Sequence, residues 1–353
     1  MDYLVPPCGT TALTAFAAQP YNPTRPAHWE CSADSLSPAT TAPELEGLMA
    51  RFDYLEPRSL DEALRMLADG GDNTRLVAGS TDFLVRWRTG VWRPDSVVCM
   101  QHVPGLDYIS WNPDDGLSIG AMATVQDIEQ NDDVRSRYPA LTAGATAFAG
   151  VQVRNLATVA GNVCNASPAG DTLPALLAYN AQCRIVGTGS ERWLPLDEVF
   201  VGPGRTALEP GEILTEIRLP APAENTGGLY IKHSPRGAMD ISAVGVASVV
   251  SLNADGTCAS SRIAMGAVAP TPMRAYGAEG RLVGQTPDAA NLAEAGRLAA
   301  QSCNPIADVR SGADYRREMV RVLTERTLTH AVATAGNPPT FDDIRRLAVQ
   351  TAW

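Results

Sequence analysis

Histidine is scarce, four residues in 353, and no two stand at a metal-ligand spacing. The chain has no HExxH, no GxSxG, no GxxxxGKS/T, and no GxGxxG after an apolar run. Those absences argue against a zinc peptidase, a nucleophile-elbow hydrolase, a P-loop enzyme and a Rossmann nicotinamide site. His102, His233 and His330 are lone and read as structural or solvated. The seven cysteines (Cys8, Cys31, Cys99, Cys164, Cys183, Cys258 and Cys303) are odd in number and contain no CxxC pair. They read as incidental thiols of a reducing compartment, not as disulfides or as ligands of an iron–sulfur cluster. No apolar run approaches the roughly 20 residues of a membrane span. No basic stretch leads into an apolar one as in a secretory signal. The expectation is a cytoplasmic protein. Basic residues are also short: 28 Lys and Arg against 39 Asp and Glu leave a net charge of −11. Such a chain has no basic footing for nucleic acid or an anionic membrane. Any phosphate must be held locally, by backbone N–H groups or by one placed cation.

What is present falls into an order. Residues 1–48 are rich in Thr, Pro, Ala and Ser without periodicity. They read as a disordered arm or as a non-native extension ahead of Met49. Then Ser59 and Glu62 form a capping box before a helix whose Leu60, Leu64 and Leu67 share one face, with Gly70 and Gly71 as its stop. Strands are expected over 74–78, 96–100, 117–121, 183–187 and 213–220. Thr124 caps a short helix, a small-residue helix ends at Gly150, and Asp171 caps another. After residue 225 an Asn253–Gly256 turn joins two β-branched runs as a hairpin, and helices follow over 287–301 and 312–333. The sequence thus predicts an α+β protein. An α/β region spans 49–225, in halves of about 49–105 and 106–225. An antiparallel sheet with helices spans 226–340.

Two loops carry candidate chemistry. Ala78-Gly79-Ser80-Thr81-Asp82 follows a short strand; its glycine permits close backbone approach, and consecutive N–H groups in such a turn form a concavity for phosphate oxygens. A plain structural turn is the bland reading. Thr158-Val159-Ala160-Gly161-Asn162, followed by Asn165, Ser167 and Asp171, concentrates small hydrogen-bonding side chains between apolar segments. There Asp171 reads either as a ligand for hydroxyl groups or as a helix N-cap only. Neither loop carries a lysine, so a bound phosphate would be met by N–H dipoles.

At these residues the chain resembles a known family, the FAD-binding medium subunits of xanthine dehydrogenase-like and carbon monoxide dehydrogenase-like molybdenum hydroxylases. The likeness runs from about Met49 to about residue 335 on FDYLEPRSLDEAL, LVAGSTDFL, LSIGAMAT, QVRNLATVAGNVCNASPAGDTLPALLA, FVGPGRTALEPGEILTEIRLP and KHSPRGAMDISAVGVA, in that order. The resemblance implies a two-part FAD-binding region of the vanillyl-alcohol oxidase (PCMH) type followed by an antiparallel sheet with helices. It also implies that Leu76, Val77, Ala78, Gly79, Ser80, Thr81 and Asp82 wrap the FAD diphosphate from one side and Thr158, Gly161 and Asn162 from the other. Asn165 would contact the cofactor as well, and Asp171 would bind adenosine or ribityl hydroxyls. Phe148 would lie against the adenine, Leu214 near the flavin ring, and Lys232 at the isoalloxazine carbonyl edge. The chain departs from the family at Ala160 and Ser80, where glycines are usual.

The same resemblance implies partners: a large molybdopterin subunit that oxidises substrate and a small subunit with two [2Fe-2S] clusters that feeds electrons to FAD here, in a doubled heterotrimer. Two other readings compete. A self-sufficient FAD oxidase would need a substrate domain, for which the residues after 225 are few. A scaffold subunit that has lost FAD is motivated by Ala160. Substrate and electron acceptor are not encoded in this chain.

Overall fold

A computed structural model of the protein describes residues 51–237 and 239–351. The expectations for the arm over 1–48, and for Cys8 and Cys31, lie outside the described residues.

The first layer is a small parallel sheet. β1 (Asp53–Leu55), β2 (Thr74–Val77) and β3 (Ser96–Cys99) lie in the order β1-β3-β2, both pairings parallel. Parallel neighbours need a crossover. Here α1 (Leu60–Asp69) supplies the first and α2 (Thr81–Arg88) the second. The Ser59 hydroxyl accepts from the Glu62 N–H at 3.1 Å. The returning arm of the expected capping box goes one residue further back, to the Arg58 N–H at 2.6 Å. Gly71, at φ +68°, lets the chain leave α1 and turn into β2.

The second layer is antiparallel: β4 (Ile109–Asn112), β5 (Gly116–Gly120), β6 (Gln182–Gly187), β7 (Ser190–Pro195) and β10 (Ile213–Leu219), in the order β4-β5-β10-β6-β7. A small ribbon of β8 (Phe200–Gly202) and β9 (Arg205–Thr206) stands beside it. Short helices fill the long connection from β5 to β6: α3 (Val125–Gln130), α4 (Asp132–Arg137), α5 (Pro139–Ala147), α6 (Val151–Arg154), α7 (Val159–Asn165) and α8 (Leu173–Ala178). α5 is buried along its length because it is built of Ala, Gly, Leu and Thr, side chains small enough to admit neighbours on every side.

The third layer is β11 (Thr226–Ser234), β12 (Val244–Leu252), β13 (Cys258–Gly266), β14 (Met273–Arg274) and β15 (Val349–Thr351), in the order β14-β13-β12-β11-β15. All its pairings are antiparallel except β11 with β15. β11 and β12 are buried at nearly every position. Alternate residues face opposite sides of a strand, so both sides of this sheet are covered. The long helix α10 (Ala313–Thr334) packs on β11 and β12, and α9 (Ala289–Ser302) packs on α10. α5 and α8 also pack on these strands. One continuous apolar core therefore joins the second and third layers. The hairpin turn at Gly256 (φ +83°) and the two late helices stand where the sequence reading expected them.

Candidate functional site

The first turn leaves β2 at its carboxyl end and runs into α2. Ser80 sits at φ +59°, ψ +6°, a left-handed conformation unusual for a residue with a Cβ. Its carbonyl accepts the first helical bond, from the Leu84 N–H at 3.0 Å. The N–H groups of Thr81, Asp82 and Phe83 therefore precede the ladder, as the leading donors of a helix do. Gly79 has a separate reason to be glycine. A Cβ built there would lie 1.7 Å from the carbonyl oxygen of Leu156 and 3.0 Å from the Ala157 nitrogen. The backbone of the first turn is thus pressed against the backbone that leads into the second.

The second turn is anchored from below. The Val125 N–H donates to the Ala157 carbonyl at 2.8 Å, and the Val159 N–H donates to the Ala123 carbonyl at 3.2 Å. Thr158 caps α7, its hydroxyl oxygen accepting from the Gly161 N–H at 2.9 Å. The Asn162 N–H donates to the Thr158 carbonyl at 3.0 Å. The N–H groups of Val159, Gly161 and Asn162 are thus already paired within the protein, where the sequence suggested main-chain amides turned to a ligand. What it presents is side chains, Thr158, Asn162 and Asn165, and the bare α-carbon of Gly161. Buried Arg154 steadies the approach, paired with Glu129 at 3.0 Å and donating to the Phe148 carbonyl at 3.1 Å.

Both turns open on one cleft. A cavity of about 150 Å³ is lined by Leu76 through Phe83, Trp92, Phe148, Ala157, Thr158, Gly161, Asn162, Cys164 and Asn165. The structure thus brings together all seven residues of the 76–82 segment with Phe148, Thr158, Gly161, Asn162 and Asn165. Phe83, Trp92, Ala157 and Cys164 are additional. Trp92 arrives from the connection between α2 and β3; it packs on Phe83, ring centroids 6.0 Å apart. Asp82 is the one charged residue of the lining among the described residues. A second cavity of about 620 Å³ adjoins the first and shares Leu76, Trp92, Cys164 and Asn165 with it.

Asp171, Leu214 and Lys232 do not line this cleft. Leu214 is a core residue of β10, the strand beneath α7. Asp171 and Lys232 form a buried ion pair at 2.7 Å. Tyr230 and Lys232, two apart on β11, face the same side and meet the same carboxylate. The Tyr230 hydroxyl donates at 2.8 Å and the Ser242 hydroxyl at 2.6 Å. Lys232 also donates to the Ala147 carbonyl at 3.1 Å. Asp171 is accordingly not a helix cap: Thr172 occupies that position, while the Asp171 carboxylate turns inward to three donors. Burial and the adjacent Asp171 push the Tyr230 phenol well above its usual range, so it remains a donor. The network touches the cleft through Thr172, whose hydroxyl donates to Asn162 Oδ1 at 2.7 Å. Lys232 is neither a solvated surface lysine nor a wall of this cavity; it stands one residue behind Phe148.

The cleft fits a diphosphate. It offers helix-leading N–H groups from α2, neutral hydroxyl and amide side chains, a close-approach glycine, and three aromatic residues, Phe83, Trp92 and Phe148. Among the described residues no group of three or more His, Cys, Asp and Glu could hold a metal ion, and no helix is long and apolar enough to cross a membrane.

Residues 50–222 match the family model described as the FAD binding domain in molybdopterin dehydrogenase. Residues 230–331 match that of the CO dehydrogenase flavoprotein C-terminal domain. The chain is 32% identical over 283 residues to the carbon monoxide dehydrogenase medium chain of Hydrogenophaga pseudoflava, covering 80% of this chain and 98% of that one. It is 31% identical over 284 residues to the xanthine dehydrogenase FAD-binding subunit of Escherichia coli O157:H7, covering 80% and 97%. Among solved structures, reconstituted CO dehydrogenase from Oligotropha carboxidovorans superposes with a TM-score of 0.77 at 30% identity, over 81% of this chain and 99% of that chain. The chain belongs to the family of FAD-binding medium subunits of the xanthine dehydrogenase and carbon monoxide dehydrogenase type of molybdenum hydroxylase.

Proposed function

We propose that this oxidoreductase subunit holds its FAD by the diphosphate, in the cleft between the 79–83 and 158–165 segments. The observation that carries the reading is the meeting of both turns at one cavity, with Gly79 pressed on the Leu156 carbonyl. The N–H groups of Thr81, Asp82 and Phe83 meet phosphate oxygens from one side. The Thr158 hydroxyl, whose oxygen already accepts from Gly161, donates from the other. Asp82 accepts from a sugar or ribityl hydroxyl. Ala160 is compatible with this: it is 5% exposed, does not line the cleft, and leaves the approach to Gly161 open. The bound flavin supplies the redox chemistry, taking electrons singly and releasing them in pairs. This chain's residues bind it, orient it and set its electrostatics.

Asp171 and Lys232 act behind the wall. Their ion pair fixes the Ala147 carbonyl, and hence Phe148, and holds Asn162 through Thr172. In this reading the electrons come from [2Fe-2S] clusters of a small partner subunit, the substrate is oxidised at molybdopterin in a large one, and the assembly is a doubled heterotrimer in the cytoplasm. The visible spectrum of the purified full-length chain, with chromatography of the extracted cofactor, tests the assignment. FAD near one equivalent per chain is expected; a colourless chain that takes up none would refute it in favour of a scaffold. Alcohol oxidation by the chain alone would favour a self-sufficient oxidase.

A further inference from the structure

Among the described residues none that lines the cleft is basic, although a diphosphate is anionic. Arg86, in the last turn of α2, reaches its rim. Its Nη2 donates to Asn165 Oδ1 at 2.8 Å, and its guanidinium lies over the Trp92 ring at 4.6 Å. Arg75 lies over the same ring at 5.4 Å. Asn165 and Trp92 line both the narrow cleft and the 620 Å³ groove, and Arg75 and Arg86 line the groove. The cluster therefore stands where the one opens into the other. The groove's carboxylates are Asp72, Glu209 and Glu212, the last held by Arg192 at 2.8 Å. The narrow cleft, about 150 Å³, falls short of the roughly 300–1,000 Å³ of a small-molecule site, so a dinucleotide must extend beyond it. The other end is marked by Phe148, whose preceding carbonyl accepts from Lys232. Phe148 and the Lys232–Asp171 pair therefore belong to the same end, and cannot serve adenine and flavin separately.

We infer that the Arg86–Asn165–Trp92 cluster receives the adenosine monophosphate half of the dinucleotide, with Arg86 as counter-charge to the diphosphate, while the Phe148 end takes the flavin half. This rests on the FAD reading above. Asn165 gives its oxygen to Arg86 and so presents its amide N–H groups to the ligand. The arginine is pinned by stacking and by a hydrogen bond, and keeps further N–H donors for phosphate oxygens. Ligands lacking the AMP half escape this recognition.

The test titrates FAD and riboflavin into the full-length chain stripped of flavin, as wild type, Arg86→Met, Arg86→Lys and Trp92→Phe. Arg86→Met should weaken FAD about tenfold or more, the worth of a hydrogen bond to a charged group, flatten the salt dependence of FAD binding, and leave riboflavin unchanged. Arg86→Lys should recover part of the loss, since it keeps the charge without the stacked fork. The fall in tryptophan emission on adding FAD should shrink in Trp92→Phe. If Arg86→Met misfolds, the lysine and phenylalanine variants carry the test. Unchanged FAD affinity and salt dependence, or an equal loss for riboflavin, overturns the assignment. A wild-type chain that takes up riboflavin but binds FAD no tighter also overturns it, and one that takes up neither overturns the FAD reading beneath it.

Discussion

Gly79→Ala is the sharpest perturbation of the cleft. The added methyl carbon would lie 1.7 Å from the Leu156 carbonyl oxygen, while real Cβ atoms keep at least 3.0 Å. The two backbone segments must therefore part by roughly 1.3 Å or more, the difference between those distances. Neither can yield by a rotamer change, because the clash is with main chain, and the 156–159 segment is tied to residues 123 and 125 by two hydrogen bonds. Overpacking of this kind costs about 1–3 kcal/mol of stability. A binding site opened by more than about 0.5 Å also loses its productive geometry. A loss of FAD affinity of roughly ten- to hundredfold follows, about 1.4–2.8 kcal/mol. Isothermal titration of FAD into the flavin-free chain, with a thermal melt of the same sample, reads both numbers. Gly161→Ala is the internal comparison for stability: its Cβ would meet the Thr158 side chain, nearest at the hydroxyl at 2.7 Å, and no backbone, so its melting temperature should fall less. An alanine at 79 that leaves both FAD affinity and melting temperature unchanged would refute the claim that these turns are held in backbone contact.

Three further outcomes are expected. Ser80→Gly should raise stability by about 0.5–1 kcal/mol, since a left-handed residue with a Cβ costs about 1–2 kcal/mol and glycine recovers most of it; a melt of the two chains reads the sign. Lys232→Met should cost about 3–5 kcal/mol by leaving Asp171 buried without its ion partner. Lys232→Met combined with Asp171→Leu should cost less than the sum of the single changes, as measured by urea midpoints. Hydrogen bonding from Arg310, against some opposing burial, holds the Asp308 carboxyl well below the usual carboxylate range, with Arg316 adding to it. A depressed folded-state pKa contributes stability above the unfolded value of about 3.9, and that stability is lost as pH falls through the folded one. The stability gap between wild type and Asp308→Asn should therefore be constant near neutral pH and close below about pH 4; a gap that widens there would contradict the pairing.

Much of the architecture was readable because local signals agreed with it. Ser59, Thr124 and Gly256 each stand at the cap or turn that their chemistry predicts, and both late helices lie within two residues of their expected bounds. The sequence marks no strand at β4, β7 or β11. β11 is buried on both faces, so it shows no alternation of the kind that marks a half-exposed strand. The two turns were legible as sites because glycine and small polar residues cluster there. Arg86 and Trp92 were not: they reach the cleft from a helix end and an irregular connection, through contacts that no spacing encodes. Asp171 allows two readings in the sequence, a cap or a ligand for hydroxyl groups, because a helix begins just after it among small polar residues. Its true partners, Tyr230, Lys232 and Ser242, lie 59 to 71 residues further on, and only the packing of β11 against α5 and α8 brings them together.

Amide hydrogen exchange of the full-length chain, with and without added FAD, asks the central question most directly. Protection should rise together in peptides covering 79–84 and 158–165, the two segments that share the cleft. Protection confined to one of them, or appearing only elsewhere in the chain, would contradict a diphosphate held between the two turns.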